Sequence, residues 1–148
     1  MPGTSGSISG ANFTIAVKTG AAAYTDISGS VNQVRVEGGL REVQGFHTFG
    51  ADAPLLTIGK RGPIMVYITA AYTETATEAC IMLQTYFEGK SLVSLRMRPR
   101  GDTAGYWQFI GDGYIQSFAM PGEVICSGGK AQLVQFIWFG SDLPKTTQ

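Results

Sequence analysis

Histidine is almost missing from this chain. Its 148 residues hold one, His47, in the stretch "GFHTFG". A lone imidazole with no cysteine or acidic cluster beside it cannot build a metal site of the usual kind. As a general base it would need an oriented nucleophile, and no GxSxG or HExxH pattern occurs. "DISGS" (26–30) is turn chemistry before it is a Ser/Asp site. "GKRGP" (59–63) lacks the GxxxxGK[ST] frame of a phosphate loop. The sequence therefore predicts a protein that is not an enzyme and carries no metal or cofactor.

Cysteine is equally sparse. Cys80 and Cys126 are too few for a disulfide framework and stand at no metal-ligand spacing. Both sit among apolar residues and read as buried thiols, with a single Cys80–Cys126 bridge as the other arrangement. Charge is scarce too, at 15% of residues, against about 25% in an average soluble domain. Eleven basic and eleven acidic residues cancel. A dedicated nucleic-acid binder would carry a basic footprint. A surface with net charge near zero instead favours association, so copies of the chain itself are the first partners to consider. No apolar run reaches the ~18 residues of a membrane span. "MPGTSGSISGAN" has neither a basic n-region nor an apolar h-region, which predicts a soluble chain with no secretory leader.

What is plentiful is glycine, 20 residues with no collagen period, and alternation. "NFTIAVKT" (12–19), "NQVRVEGG" (32–39), "LREVQGFHTFG" (40–50), "LLTIGK" (55–60) and "IMVYITAAY" (64–72) all read as strands. So do "SLVSLRMRP" (91–99) and "QLVQFIWFG" (132–140), and "GYWQFIG" and "GYIQSFAM" read as two short strands meeting at a "GDG" turn (111–113). One segment, about 74–88, has helical period. Thr75 and Glu78 have capping-box spacing, and Ala76, Cys80, Leu83 and Phe87 make a stripe to pack on a sheet. The expected fold is mostly β (α+β): a β-sandwich or open barrel of about eight strands with one packed helix. Residues 1–11 read as a flexible arm, 12–140 as one β domain and 141–148 as a short tail.

Two features do not fit a solitary domain. Charge and apolar surface share the strands of "YTDISGSVNQVRVEGGLREVQGFHTFG" (24–50), and apolar groups recur on both strand faces. In a monomer one face should be wet; here the second face is expected to meet another molecule. The cations Arg96, Arg98 and Arg100, with Lys90 nearby, form the one basic cluster, either a solvated face or a stripe toward a partner or polar channel. Tyr106, Tyr114, Trp107 and Trp138 offer a second reading, a carbohydrate-binding β-sandwich.

The order of pieces resembles the tail tube proteins of long-tailed, non-contractile (siphovirus-like) bacteriophages. The residues that carry the likeness are "YTDISGSVNQVRVEGG" (24–39), "GKRGPIMVYITAAYTE" (59–74), and the helix of 75–88 followed at once by "SLVSLRMRP" (91–99). The resemblance implies a structural virion subunit, assembled in the host cytoplasm, that stacks as hexameric rings into a hollow conduit for genome ejection. It implies self-association, contact with tape-measure and tail terminator proteins, and passage of viral DNA without specific binding. Six copies lending four strands each make about 24 strands; at ~4.8 Å spacing and ~40° tilt the barrel is about 45–50 Å across. Within it Gln33, Arg35, Glu37, Ser94, Arg96 and Arg98 are expected to face the lumen. Ser5, Ser7, Ile8 and the loop Gly50, Ala51, Asp52, Ala53 and Pro54 are expected to mediate ring stacking. A tail terminator, head–tail joining or capsid decoration protein is the alternative within virions.

Overall fold

A computed structural model describes residues 8–119, 129 and 131–148. After a single 3-10 turn at Gly10–Asn12 come ten strands and one helix. The strands are β1 (Thr14–Thr19), β2 (Thr25–Asp26), β3 (Val31–Gly38), β4 (Arg41–Phe46), β5 (Leu55–Arg61), β6 (Ile64–Ala71), β7 (Leu92–Arg98), β8 (Trp107–Ala119), β9 (Leu133–Gly140) and β10 (Lys145–Thr147). The helix α1 (Ala79–Glu88) lies between β6 and β7.

Eight strands form one antiparallel sheet in the order β2-β1-β7-β8-β9-β6-β3, with β10 added to β8. β8 bends this sheet into two layers. Its residues 109–114 pair with β7 and its first residues with β10, while residues 113–119 pair with β9. A bulge between Ile115 and Ser117 marks the crossing, since an extra residue bends a strand and sharpens its twist. β3, β6, β9 and the second half of β8 make one layer. β2, β1, β7, β10 and the first half of β8 make the other.

The core lies between the layers and follows the alternation residue by residue. Ile64, Val66, Ile68 and Ala70 of β6 are buried, as are Val93, Leu95 and Met97 of β7 and Val134, Phe136 and Trp138 of β9. Trp138 Nε1 donates to the Val93 carbonyl at 3.1 Å, a bond that crosses from one layer to the other and satisfies the ring's only polar group.

Three sequence expectations change here. The "GDG" stretch is no turn: β8 runs straight through it. A Cβ on Gly111 would strike the Asp142 carbonyl, and one on Gly113 the Phe139 carbonyl. These glycines admit a neighbouring backbone, the other standing use of glycine in a strand. The helix starts later than the capping-box spacing suggested. Residues 75–78 form a turn, Glu78 is the N-cap without a side-chain bond, and the helix begins at Ala79. Its buried side therefore consists of Ala79, Cys80 and Leu83, with Met82 and Tyr86 partly covered. Ala76 precedes the helix and is exposed, and Phe87 keeps 39% of its surface in water. Finally, Trp138 is fully buried, so it cannot join Tyr106 and Trp107 in a sugar platform.

Cys80 is a buried free thiol; Cys126 lies outside the described residues. No described helix is long and apolar enough to cross a membrane.

Candidate assembly surfaces

The strands β3 and β6 run on past the sandwich as a separate two-stranded hairpin, β4–β5. The departure is built from glycine. Gly38 and Gly39 take positive φ values of 88° and 68°, a conformation that costs glycine little and other residues much. A Cβ on Gly38 would collide with the Pro63 carbonyl, which instead accepts from the Gly39 N–H at 2.9 Å. Gly62 N–H bonds the Leu40 carbonyl on the opposite side. The ladder is thus continuous in hydrogen bonding while its direction changes.

Every residue of β4 and β5 is exposed. Leu40, Val43, Phe46, Phe49, Leu55, Leu56 and Ile58 each keep more than half of their surface in water. A lone two-stranded hairpin is at best marginally stable, and an apolar one needs a partner surface. Register divides its faces. Val43 stands opposite Ile58, and Leu56 lies two residues along on the same side, giving one apolar face. Glu42, Gln44 and Thr57 occupy the other, closed at the tip by the Phe46–Leu55 pair.

The residues expected to mediate stacking fall as follows. Gly50, Ala51, Asp52, Ala53 and Pro54 form the exposed tip between β4 and β5. Ile8 is 47% exposed at the other end of the described chain, and Ser5 and Ser7 lie outside the described residues. His47 is an exposed residue of the same tip.

The expected lumen residues all leave the core side of their strands, yet they belong to different layers. Gln33, Arg35 and Glu37 project from β3, beside Thr69, Tyr67 and Met65 of β6. Arg35 reaches Glu37 at 3.3 Å and lies over the Tyr67 ring at 4.3 Å. Ser94, Arg96 and Arg98 project from β7, separated from β3 by three strands in the sheet order. Arg96 covers the Tyr24 ring at 4.4 Å, shared with Lys18 at 4.8 Å. Burial pushes the Tyr24 phenol up, and Arg96 pulls partly against it. Arg98 donates to Gln108 at 3.0 Å and to Asp102 at 2.6 Å. That bond is the main reason the Asp102 carboxyl is held below its ordinary value. Ser94 donates to Asp112. Each of these cations already has a partner within the chain.

The two ends of the folded sheet do not meet. Between β3 on one side and β1 and β7 on the other runs a cleft of about 650 Å³, lined mostly by apolar side chains. Val36 points into it from β3 and is 50% exposed although it is on the core side of its strand. Among the described residues no group of three or more His, Cys, Asp or Glu could hold a metal ion.

Sequence reasoning assigned stacking to the hairpin's tip and not to its flanks. The available signal was the pair of apolar runs "LREVQGF" and "LLTIGK", apolar on both sides where a half-buried strand would not be.

No protein-family model matches the sequence, and no curated protein matches it. Solved structures do match in fold. A chain from the tail of an empty gene transfer agent particle, refined helically with C6 symmetry, aligns with a TM-score of 0.69 at 10% identity, covering 96% of this chain and 99% of the other. The SPP1 tail tube aligns with a TM-score of 0.70 at 13% identity, covering 96% of this chain and 80% of the other. A chain of the sheath–tube complex of an extracellular contractile injection system aligns with a TM-score of 0.64 at 9% identity, covering 90% and 88%. The chain thus has the fold found in tail tubes.

Proposed function

We propose that this protein is a structural subunit of a tail tube, a chain that assembles with copies of itself into stacked rings around a bore. The observation that carries the reading is the β4–β5 hairpin: an exposed apolar element with no partner among the described residues, on a fold found in tail tube chains. Each large apolar side chain taken out of water contributes about 1.5–3 kcal/mol. Docking the hairpin is then worth on the order of 10 kcal/mol, against an association cost of about 4–15 kcal/mol. One such contact is weak; a ring or stack that repeats it is strong.

The bore is assigned to the outward face of the β3-β6-β9-β8 layer. That layer supplies four long strands per copy, the number the ring arithmetic requires. It carries Gln33, Arg35 and Glu37 with Thr69 and Gln135, and its Arg35 is neutralised by Glu37. Such a wall suits a conduit, because each free phosphate contact would add salt-dependent grip on passing DNA. Ser94, Arg96 and Arg98 belong to the other layer and face away from this wall. Six-fold rings are the expected symmetry, as in the C6 tail of the gene transfer agent. The likeness extends to the SPP1 tail tube and to a contractile injection system alike, so the reading concerns the tube and is independent of a sheath. Genome ejection is the proposed use of the conduit, with tape-measure and tail terminator proteins as the partners at its core and end.

The test is negative-stain electron microscopy of the purified chain, dilute and concentrated. Hollow tubes or stacked rings with a central bore are expected. A chain that stays monomeric at every concentration would overturn the reading.

A further inference from the structure

Among the described residues two apolar surfaces have no partner, and they differ from each other. One is the hairpin face of Val43, Leu56 and Ile58, which projects from the molecule. The other is concave, the seam cleft lined by Ile15, Val34, Val36, Ile64, Met97 and Phe109. Beside the cleft runs the free edge of β3, the last strand of the sheet and eight residues long. An open edge of that length is a template for another strand. It has no proline, and its two charges, Arg35 and Glu37, are spent on each other.

We infer that the seam cleft of one copy is the receptor for the β4–β5 hairpin of a second copy. This inference rests on the tube reading and names the surface that the hairpin meets. Size supports it. At about 30 Å³ per molecule, the cleft holds roughly twenty waters, the space of a few large side chains and far less than a folded domain. The hairpin reaches far enough, since seven residues of β5 span about 23 Å at ~3.3 Å each. The N-terminal residues are a poor rival, because "MPGTSGS" offers a single large apolar side chain, Met1. Chemistry supports it as well: both surfaces are apolar, and Arg61, the charged residue at the cleft's rim, is held by Asp142 at 3.0 Å.

Symmetry gives the arrangement its consequence. Head to tail, a projection on one copy and a cleft on the next make a heterologous contact, and each subunit that docks its hairpin still offers an empty cleft. Association in that mode grows into rings or helical stacks, whereas reciprocal exchange of hairpins between two copies would close as a two-fold dimer.

The experiment uses two variants of the full chain. Val36→Arg places a charge in the cleft while leaving the hairpin intact. Leu56→Ser with Ile58→Ser strips the hairpin face while leaving the cleft open. Both sites are at least half exposed, so each variant is expected to keep the wild-type circular dichroism spectrum and melting temperature. Each alone is expected to stay monomeric by light scattering at concentrations where the wild type forms polymers. Mixed in equal amounts, they are expected to give a complex of twice the monomer mass, because one intact hairpin meets one intact cleft. Val36→Arg protein that polymerises like the wild type would overturn the cleft as receptor and leave the tube reading standing. So would a mixture that stays monomeric while the wild type assembles. A wild type that never assembles would overturn both.

Discussion

The sandwich and the hairpin are made of the same kind of strand and live under opposite conditions. β6 reads IMVYITAA and buries every second side chain. β5 reads LLTIGKR, is as apolar at its start, and buries none. The difference is not composition but neighbours. β6 lies between β3 and β9 with the other layer beneath it. β5 has β4 and no other strand among the described residues. Apolar sequence becomes core only where the chain supplies a second surface; where it does not, the same side chains stay in water.

This contrast can be broken most forcefully from the sandwich side. Trp138→Ala removes the largest buried side chain and leaves the Val93 carbonyl without its donor. The expected loss is about 3–5 kcal/mol, read as a fall in the urea midpoint of dilute protein. Gly113→Val tests the close approach that replaced the expected turn. Its Cβ meets the Phe139 backbone carbonyl, and a backbone atom cannot swing aside, so a loss of about 1–3 kcal/mol is expected. A variant as stable as the wild type would show that β8 and β9 separate easily at that point.

The same chemistry applied to the hairpin should hardly register in the monomer. Phe46→Ser at the tip pair is expected to change unfolding stability by less than about 0.5 kcal/mol, as exposed positions do, while reducing assembly seen by light scattering. A large loss of monomer stability would mean that the hairpin packs on its own chain.

The smallest effect is electrostatic. The bond from Arg98 lowers the Asp102 pKa in the folded state below its usual 3.8. A depressed carboxyl stabilises the fold above the unfolded value, and that contribution fades as pH falls below it through the folded value. Asp102 is 54% exposed, so the pair is worth at most about a few tenths of a kcal/mol. Asp102→Asn should therefore lower stability at neutral pH by at most about a few tenths of a kcal/mol, and its difference from the wild type should vanish as pH falls below ~4.

Much of the fold was legible because alternation reports which face a residue takes. The alternation of 64–72 puts Val66 and Ile68 on one face of their strand, and that of 91–99 puts Val93 and Leu95 on one face of theirs; both pairs are buried. What period cannot report is the neighbour. Gly111 and Gly113 look the same in sequence whether they make a turn or admit a carbonyl. Thr75 and Glu78 have the spacing of a cap, but residues 75–78 close into a turn of their own one step before the helix. Trp138 sits in a strand with large residues on both faces, so its position gave no hint that its indole spans the two layers. The assembly residues were half legible: the loop Gly50–Pro54 was assigned to stacking and the apolar groups on both faces of 24–50 pointed to a partner, while 55–60 read as an ordinary short strand.

The sequence by itself determined that this is a β protein with one helix, and that it holds more apolar strand surface than one core can use. Local periodicity, turn residues and composition are properties of short stretches, and they survive without knowing the fold. Only the tertiary structure decided where that surplus lies. It assigned β4 and β5 to an arm beyond the Gly38–Gly39 corner, folded the sheet at β8, and left the seam between β3 and β1 open. Those are outcomes of which strands become neighbours, and strand pairing is settled by contacts distant in the chain.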